Sequence, residues 1–139
     1  MRFKVREKDL QKALIEWLRH HGCKADRVNT TGVYDPTTKR FHRSPNITKG
    51  MSDIIFCTPT GRYGAIEVKS TGGRPTKEQK EFLEEVNRSG GIGIWTDNIH
   101  EATTVLLHEL AKELRYASTI DLRSPQGKCE VYTPEGGEG

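Results

Sequence analysis

Three ionisable residues raise the question of chemistry in the stretch SDIIFCTPTGRYGAIEVKS, residues 52–70. Asp53 opens one apolar segment, and Glu67 and Lys69 close the next. Charges set among isoleucine, valine and phenylalanine are expensive to bury unless something compensates them. Residues 53–58 and 62–69 read as two strands joined through Pro59, Thr60 and Gly61, a turn tripeptide. With the turn centred on Thr60, Asp53 falls directly opposite Glu67, and Lys69 joins them because side chains alternate between faces. Ile54, Phe56, Ile66 and Val68 then share the other face, an apolar wall for a helix to cover. A slip of one residue would separate the trio.

Two facing carboxylates repel, which raises the pKa of one unless a cation lies between them. Hard oxygen ligands on adjacent strands suit magnesium, which keeps several waters and often takes one or two carboxylates plus phosphate oxygens. Lys69 would orient or deprotonate an attacking water and neutralise charge developing on phosphorus. The competing reading is an ordinary cross-strand ion pair, Asp53 or Glu67 with Lys69, on a solvated sheet face.

The elements that must position these groups are legible on either side. From Glu7 to His20, the residues Leu10, Ala13, Leu14, Trp17 and Leu18 recur at helical spacing, Gly22 stops that helix, and 25–29 reads as a short strand. Residues 30–50 have no helical period and are rich in Gly, Pro, Thr and basic side chains, which predicts a long loop of functional type. Thr76 with Gln79 forms a capping box for a helix running to about Asn87, ended by Gly90 and Gly91. Residues 92–96 make a third apolar strand, and Asn98 with Glu101 starts a last helix carrying Val105, Leu106, Leu110 and Leu114. This order predicts an α/β fold, a mixed central sheet flanked by helices.

The length of 139 residues fits one domain, expected over 1–118, with 119–139 a C-terminal extension ending in a disordered tail. The N-terminal segment alternates charges and leads into no apolar run, so a soluble, intracellular protein with no membrane partner is expected. Cys23, Cys57 and Cys129 lack the spacing of a zinc site or a disulfide framework. The net charge of +3 conceals an asymmetry: residues 1–50 carry 12 Lys and Arg against 5 Asp and Glu, whereas 51–139 carry 10 against 14. Such a basic first part suggests an anionic partner, nucleic acid being the commonest. Lys39, Arg40, His42, Arg43 and Lys49 in the long loop could straddle phosphates, and Arg27 and Asn29 could contact the backbone at a strand end.

The combination resembles the PD-(D/E)xK nuclease superfamily and, within it, the VRR-NUC type of domain. The similar segments are EKDLQKALIEWLRHHG at 7–22, RVN at 27–29, KGMSDII at 49–55 and GRYGAIEVKSTGGRPTKEQKEFLEEVNRSGGIGI at 61–94. The resemblance implies a restriction-endonuclease-like core in which Asp53, Glu67 and the Val68 carbonyl bind Mg2+ or Mn2+ and Lys69 handles the attacking water. It also implies an acidic ligand on the first helix, here Glu7, and an active-site glutamine, here Gln79. Gln11 fits the pattern too. Ser52 stands where the superfamily name has proline, a departure that touches backbone shape more than ligation. By the same resemblance the chain is a metal-dependent DNA endonuclease without a small-molecule cofactor, cytoplasmic or encoded by a phage or virus and acting in its host cell. Short stand-alone domains of this kind are similar to homodimeric nucleases that resolve four-way Holliday junctions, so branched DNA is the expected partner. The rival substrates are flapped, single-stranded or RNA targets, and the rival class is a nucleic-acid-binding module without catalysis.

Overall fold

The computed structural model describes residues 4–28 and 32–116. Asn29, Cys129 and the extension expected over 119–139 lie outside the described residues. Helix α1, Glu7–His20, lays Leu10, Leu14 and Leu18 against the sheet. It also buries Gln11, while Ala13, expected on the apolar face, is exposed. The buried stripe is therefore turned toward Gln11 and the half-buried Ile15. Strand β1, Lys24–Arg27, follows, shorter at its far end than expected.

The long loop expected over residues 30–50 contains regular structure between 33 and 42. Short strands β2, Val33–Asp35, and β3, Arg40–His42, pair antiparallel into a ribbon. Strand β4, Ile54–Cys57, and strand β5, Tyr63–Val68, form the hairpin, with Ile54 opposite Ile66 and Cys57 opposite Tyr63, the register of a turn centred on Thr60. Helix α2, Lys77–Arg88, begins at the capping box of Thr76 and Gln79. It supplies the crossover that a parallel strand pair requires, because strand β6, Ile92–Thr96, lies parallel to β5. Helix α3, Ile99–Tyr116, ends the described chain, its first turn capped by Asn98 Oδ1, which accepts from the N–H groups of His100 and Glu101.

The sheet order is β1-β4-β5-β6. On one face Ile54, Phe56, Ile66 and Val68, none more than 2% exposed, pack with α1 and with Ala102 and Leu106 of α3. On the other face Ala65 and Ile55 meet Leu83, Val86 and Phe82 of α2. Three layers result, with the hairpin β4–β5 at their centre. Among the described residues no helix is long and apolar enough to cross a membrane.

Gly64 shows how tightly that centre is built. It faces Phe56 across the hairpin, and a Cβ there would run into the Phe56 ring. Gly64→Ala is expected to lower the urea midpoint, at a cost of about 1–3 kcal/mol typical of overpacking. Adding Phe56→Leu should recover part of the loss, and an unchanged midpoint for Gly64→Ala would refute the contact.

A second tie holds the far end of the hairpin. Arg62 donates to the Gly90 and Gly91 carbonyls at 2.7 and 3.1 Å and pairs with Glu109 of α3 at 2.8 Å. Buried Glu113 accepts from the Thr60 hydroxyl at 2.6 Å. One guanidinium thus joins the start of β5, the end of α2 and helix α3.

Candidate active site

The register carries one step beyond the last paired residues of β4 and β5, which sets Asp53 against Glu67 on the α2 face of the sheet. Asp53 Oδ2 accepts the Val68 N–H at 2.9 Å, so the aspartate is fixed to the end of the partner strand. In extended backbone a residue's N–H and C=O share one edge, so the Val68 carbonyl also faces the edge where Asp53 lies. Glu67 is 2% exposed. Its Oε1 receives Gln79 Nε2 at 2.8 Å and lies 3.2 Å from Lys69 Nζ, while its Oε2 is buried without a hydrogen-bond partner.

Gln79 performs two tasks with one amide. Its Oε1 accepts the Thr76 N–H at 2.8 Å to complete the capping box, and its Nε2 steadies Glu67. The two readings of this residue from sequence are therefore compatible. Burial, and behind it the facing Asp53 carboxylate, push the Glu67 carboxyl up to about 7, against a lowering pull from Lys69. A buried carboxyl with a raised pKa and one oxygen without a hydrogen-bond partner, beside a second carboxylate, is a donor set that fits a hard divalent cation.

The remaining candidates are placed less centrally. Glu7 Oε1 accepts the Ser70 N–H at 3.2 Å, which brings the start of α1 to the end of β5. Among the described residues no group of three His, Cys, Asp or Glu side chains is gathered closely enough to hold an ion, so Glu7 stands apart from the Asp53 and Glu67 pair. Arg27 pairs with Ile54 and so points to the α1 face, away from the carboxylates, where it lines a cleft with Lys8, Gln11 and Lys12. Lys49 pairs with Glu78 on the first turn of α2 at 3.4 Å. Lys39 and Arg40 are on the ribbon and Arg43 just after it, all exposed. Asn29 lies outside the described residues. Ser52 is wholly buried, its hydroxyl without a partner, which agrees with a position where a proline can stand.

Two features escaped the sequence reading. Gln11 is buried, with an unpartnered Oε1, although a glutamine within a helical pattern is ordinarily exposed. Tyr34 and Phe41 meet across the ribbon with ring centroids 5.2 Å apart. The signal available was an aromatic on each side of Asp35-Pro36-Thr37-Thr38-Lys39-Arg40, a turn composition inside a basic segment.

A mixed sheet of this order, covered by helices on both faces and carrying acidic residues at the open end of its central hairpin, defines a restriction-endonuclease-like core. The family model described as VRR-NUC domain matches residues 5–94, and the chain belongs to that family of nucleases. The match ends before α3 begins. No curated protein and no solved structure matched the chain.

Proposed function

We propose that the chain is a divalent-metal-dependent DNA endonuclease that hydrolyses phosphodiester bonds and, as a homodimer, resolves four-way junctions. The observation that carries the chemistry is the convergence of Asp53, Glu67 and Lys69 at the end of one hairpin, with a buried Glu67 oxygen left unpartnered. Asp53, Glu67 and the Val68 carbonyl would hold Mg2+ or Mn2+, while Glu7 stands apart at the Ser70 N–H. When bound, the ion supplies Lewis-acid polarisation of the scissile phosphate and offsets its charge.

The chain's own residues account for the rest. Gln79 and Lys69 hold Glu67, and the Val68 N–H holds Asp53, before substrate arrives, so little reorganisation accompanies reaction. Lys69 directs its N–H groups at the attacking water and at the non-bridging phosphate oxygens, where negative charge grows. The water oxygen bonds to phosphorus as the bond from phosphorus to the 3′ oxygen breaks; the water gives up a proton to solvent and the departing 3′ oxygen takes one from solvent, leaving a 5′-phosphate and a 3′-hydroxyl. Residues 1–118 would form the catalytic domain.

The junction assignment rests on the resemblance to junction-resolving domains, and the homodimer follows from it through the count of centres. One hairpin supplies one centre, which cuts one strand per encounter, so paired nicks across a junction require a second copy at fixed spacing. The test is a panel of labelled junction, flapped, single-stranded and duplex DNAs and RNA, with magnesium or with chelator, alongside light scattering. Junction cleavage only with magnesium, from a species of about twice the 15.7 kDa chain mass, is the expected result. A monomer that prefers flaps or single strands would replace the junction reading, and binding without cleavage would replace the enzyme.

The basic segment yields its own prediction. Changing Lys39, Arg40, Arg43 and Lys49 to Ala should flatten the dependence of log affinity on log salt by up to about 0.9 for each phosphate no longer neutralised. Cleavage at saturating DNA should change little. An unchanged salt slope would make these side chains solvated bystanders.

A further inference from the structure

Both ends of the excursion between β1 and β4 sit beside the candidate centre. The Val28 N–H donates to the Asp53 carbonyl at 2.7 Å. The returning chain lies against the first turn of α2, so closely that a Cβ at Gly50 would run into the Glu78 carbonyl. Lys49 pairs with Glu78 there, and the next residue is Gln79, which reaches Glu67. The β2–β3 ribbon therefore springs from the rim of the site.

Its turn is ordered by its own side chains. Asp35 accepts the Thr37 N–H at 2.9 Å and the Thr37 and Thr38 hydroxyls, and Lys39 adopts a left-handed φ of 53°. Beyond its base the ribbon touches no other helix or strand among the described residues. Tyr34 and Phe41 are cross-strand partners, so their rings occupy one face of it, 51% and 66% exposed and tilted by 57°. Lys39 lies in the turn, Arg40 follows it on the opposite face of the ribbon next to Phe41, and Arg43 comes just after the strand; none has an ion-pair partner among the described residues.

Paired aromatics held out in water near cations that have no ion-pair partner among the described residues present π-faces and positive charge together. Nucleic acid with unstacked bases has the complementary pair of features, since its bases stack on rings while its phosphates meet the cations. Continuous duplex offers only the phosphates. A protein partner would match the rings but gives no reason for the cluster of cations.

We propose that the β2–β3 ribbon is a stacking arm. Tyr34 and Phe41 take unpaired bases next to the scissile phosphate, and Lys39, Arg40 and Arg43 hold the flanking phosphates. Relative to continuous duplex, the arm then favours a branch point at which bases are unpaired, as at the opened crossover of a four-way junction. The position of the arm beside the reacting phosphate rests on the nuclease reading, whereas its binding preference does not.

The test uses the full chain in chelator, so that binding is read without cleavage. Two labelled DNAs are compared by fluorescence anisotropy: a duplex, and the same duplex with a single-stranded arm bearing a fluorescent adenine analogue at its first unpaired position. The native chain should prefer the armed DNA and change the emission of the analogue as it stacks. Tyr34→Leu combined with Phe41→Leu should lower affinity for the armed DNA by ~10-fold or more while leaving duplex affinity unchanged. Tyr34→Trp, which keeps an aromatic face, should retain the preference, and a circular dichroism spectrum like that of the native chain verifies the fold. Equal affinity of the native chain for both DNAs would overturn the arm. So would an unchanged preference in the double variant, or a halved light-scattering mass in its place, which would mean that the rings meet a second copy. An intact preference with no cleavage on adding magnesium would support the arm and remove the nuclease reading.

Discussion

In chelator at about pH 8, Glu67→Gln is expected to melt several degrees above the native chain, and with magnesium restored to cut DNA at least ~100-fold more slowly. The two effects have one origin. The Glu67 carboxyl titrates near its ordinary 4.5 when unfolded and near 7 in the fold, because burial and Asp53 disfavour its charge. A raised carboxyl pKa means that the folded state holds the proton more tightly. The associated stability is present in full below 4.5 and is lost as pH rises through about 7. Above that, the charged, buried carboxylate costs about 3 kcal/mol, from the free energy equivalent of the shift.

A glutamine there is neutral at every pH. It can still accept from Gln79 and can donate to Asp53, which an ionised carboxylate cannot do. The melting curves of variant and native chain should therefore converge near pH 4.5 and separate as pH passes through about 7. Magnesium should raise the melting temperature of the native chain and not that of the variant, since only the former gains a ligand for its folded state. Parallel pH profiles for the two would show that Glu67 carries no such burden, and native-like turnover in the variant would exclude the residue from the reaction.

Asp53→Asn and Lys69→Ala are each expected to slow cleavage by ~100-fold or more, by different routes. Asparagine at 53 keeps an oxygen for the Val68 N–H, so the strand end stays in place and only the charge is removed. Alanine at 69 removes the ammonium 3.2 Å from Glu67 Oε1. Because Lys69 lowers the Glu67 pKa, its loss should also move the pH at which residual activity appears upward. Single-turnover rates measured across pH at saturating DNA separate the cases. Asp53→Asn should lower the plateau and, because the Asp53 charge raises the Glu67 pKa, displace the profile downward instead; a Lys69→Ala profile that coincides with the native one would leave the lysine outside the reaction.

The site was readable because its information is local. The turn around Thr60 sets the register, period-two alternation places Asp53 with Glu67, and Thr76 with Gln79 marks the start of α2 within three residues. The apolar residues Ile54, Phe56, Ile66 and Val68 declare their face by the same alternation. The roles of Glu7, Gln79 and the Val68 carbonyl came from resemblance, since nothing in their immediate neighbours singles them out. What sequence could not supply depends on distant partners. The Arg62 tie joins residues from Thr60 to Glu113, Gln11 is buried at a cleft it shares with Arg27 of β1, and Arg27 is turned from the carboxylates by its pairing with Ile54. The ribbon was missed because two strands of three residues are too short to show a period, although its turn chemistry was present.

The bond from the Val28 N–H to the Asp53 carbonyl, 2.7 Å long, means that the chain leaves and rejoins the sheet at the same place. Everything between is an insert whose ends are already closed by the core. The entropy of closing such an insert grows only with the logarithm of its length, about 0.6 kcal/mol for each doubling. The segment can therefore lengthen, shorten or be exchanged between lineages with little consequence for the layers that carry the carboxylates. On the role proposed for the ribbon, substrate choice and bond-breaking chemistry are in this way open to separate selection, and a transplanted arm offers a route to retargeting the enzyme without rebuilding it.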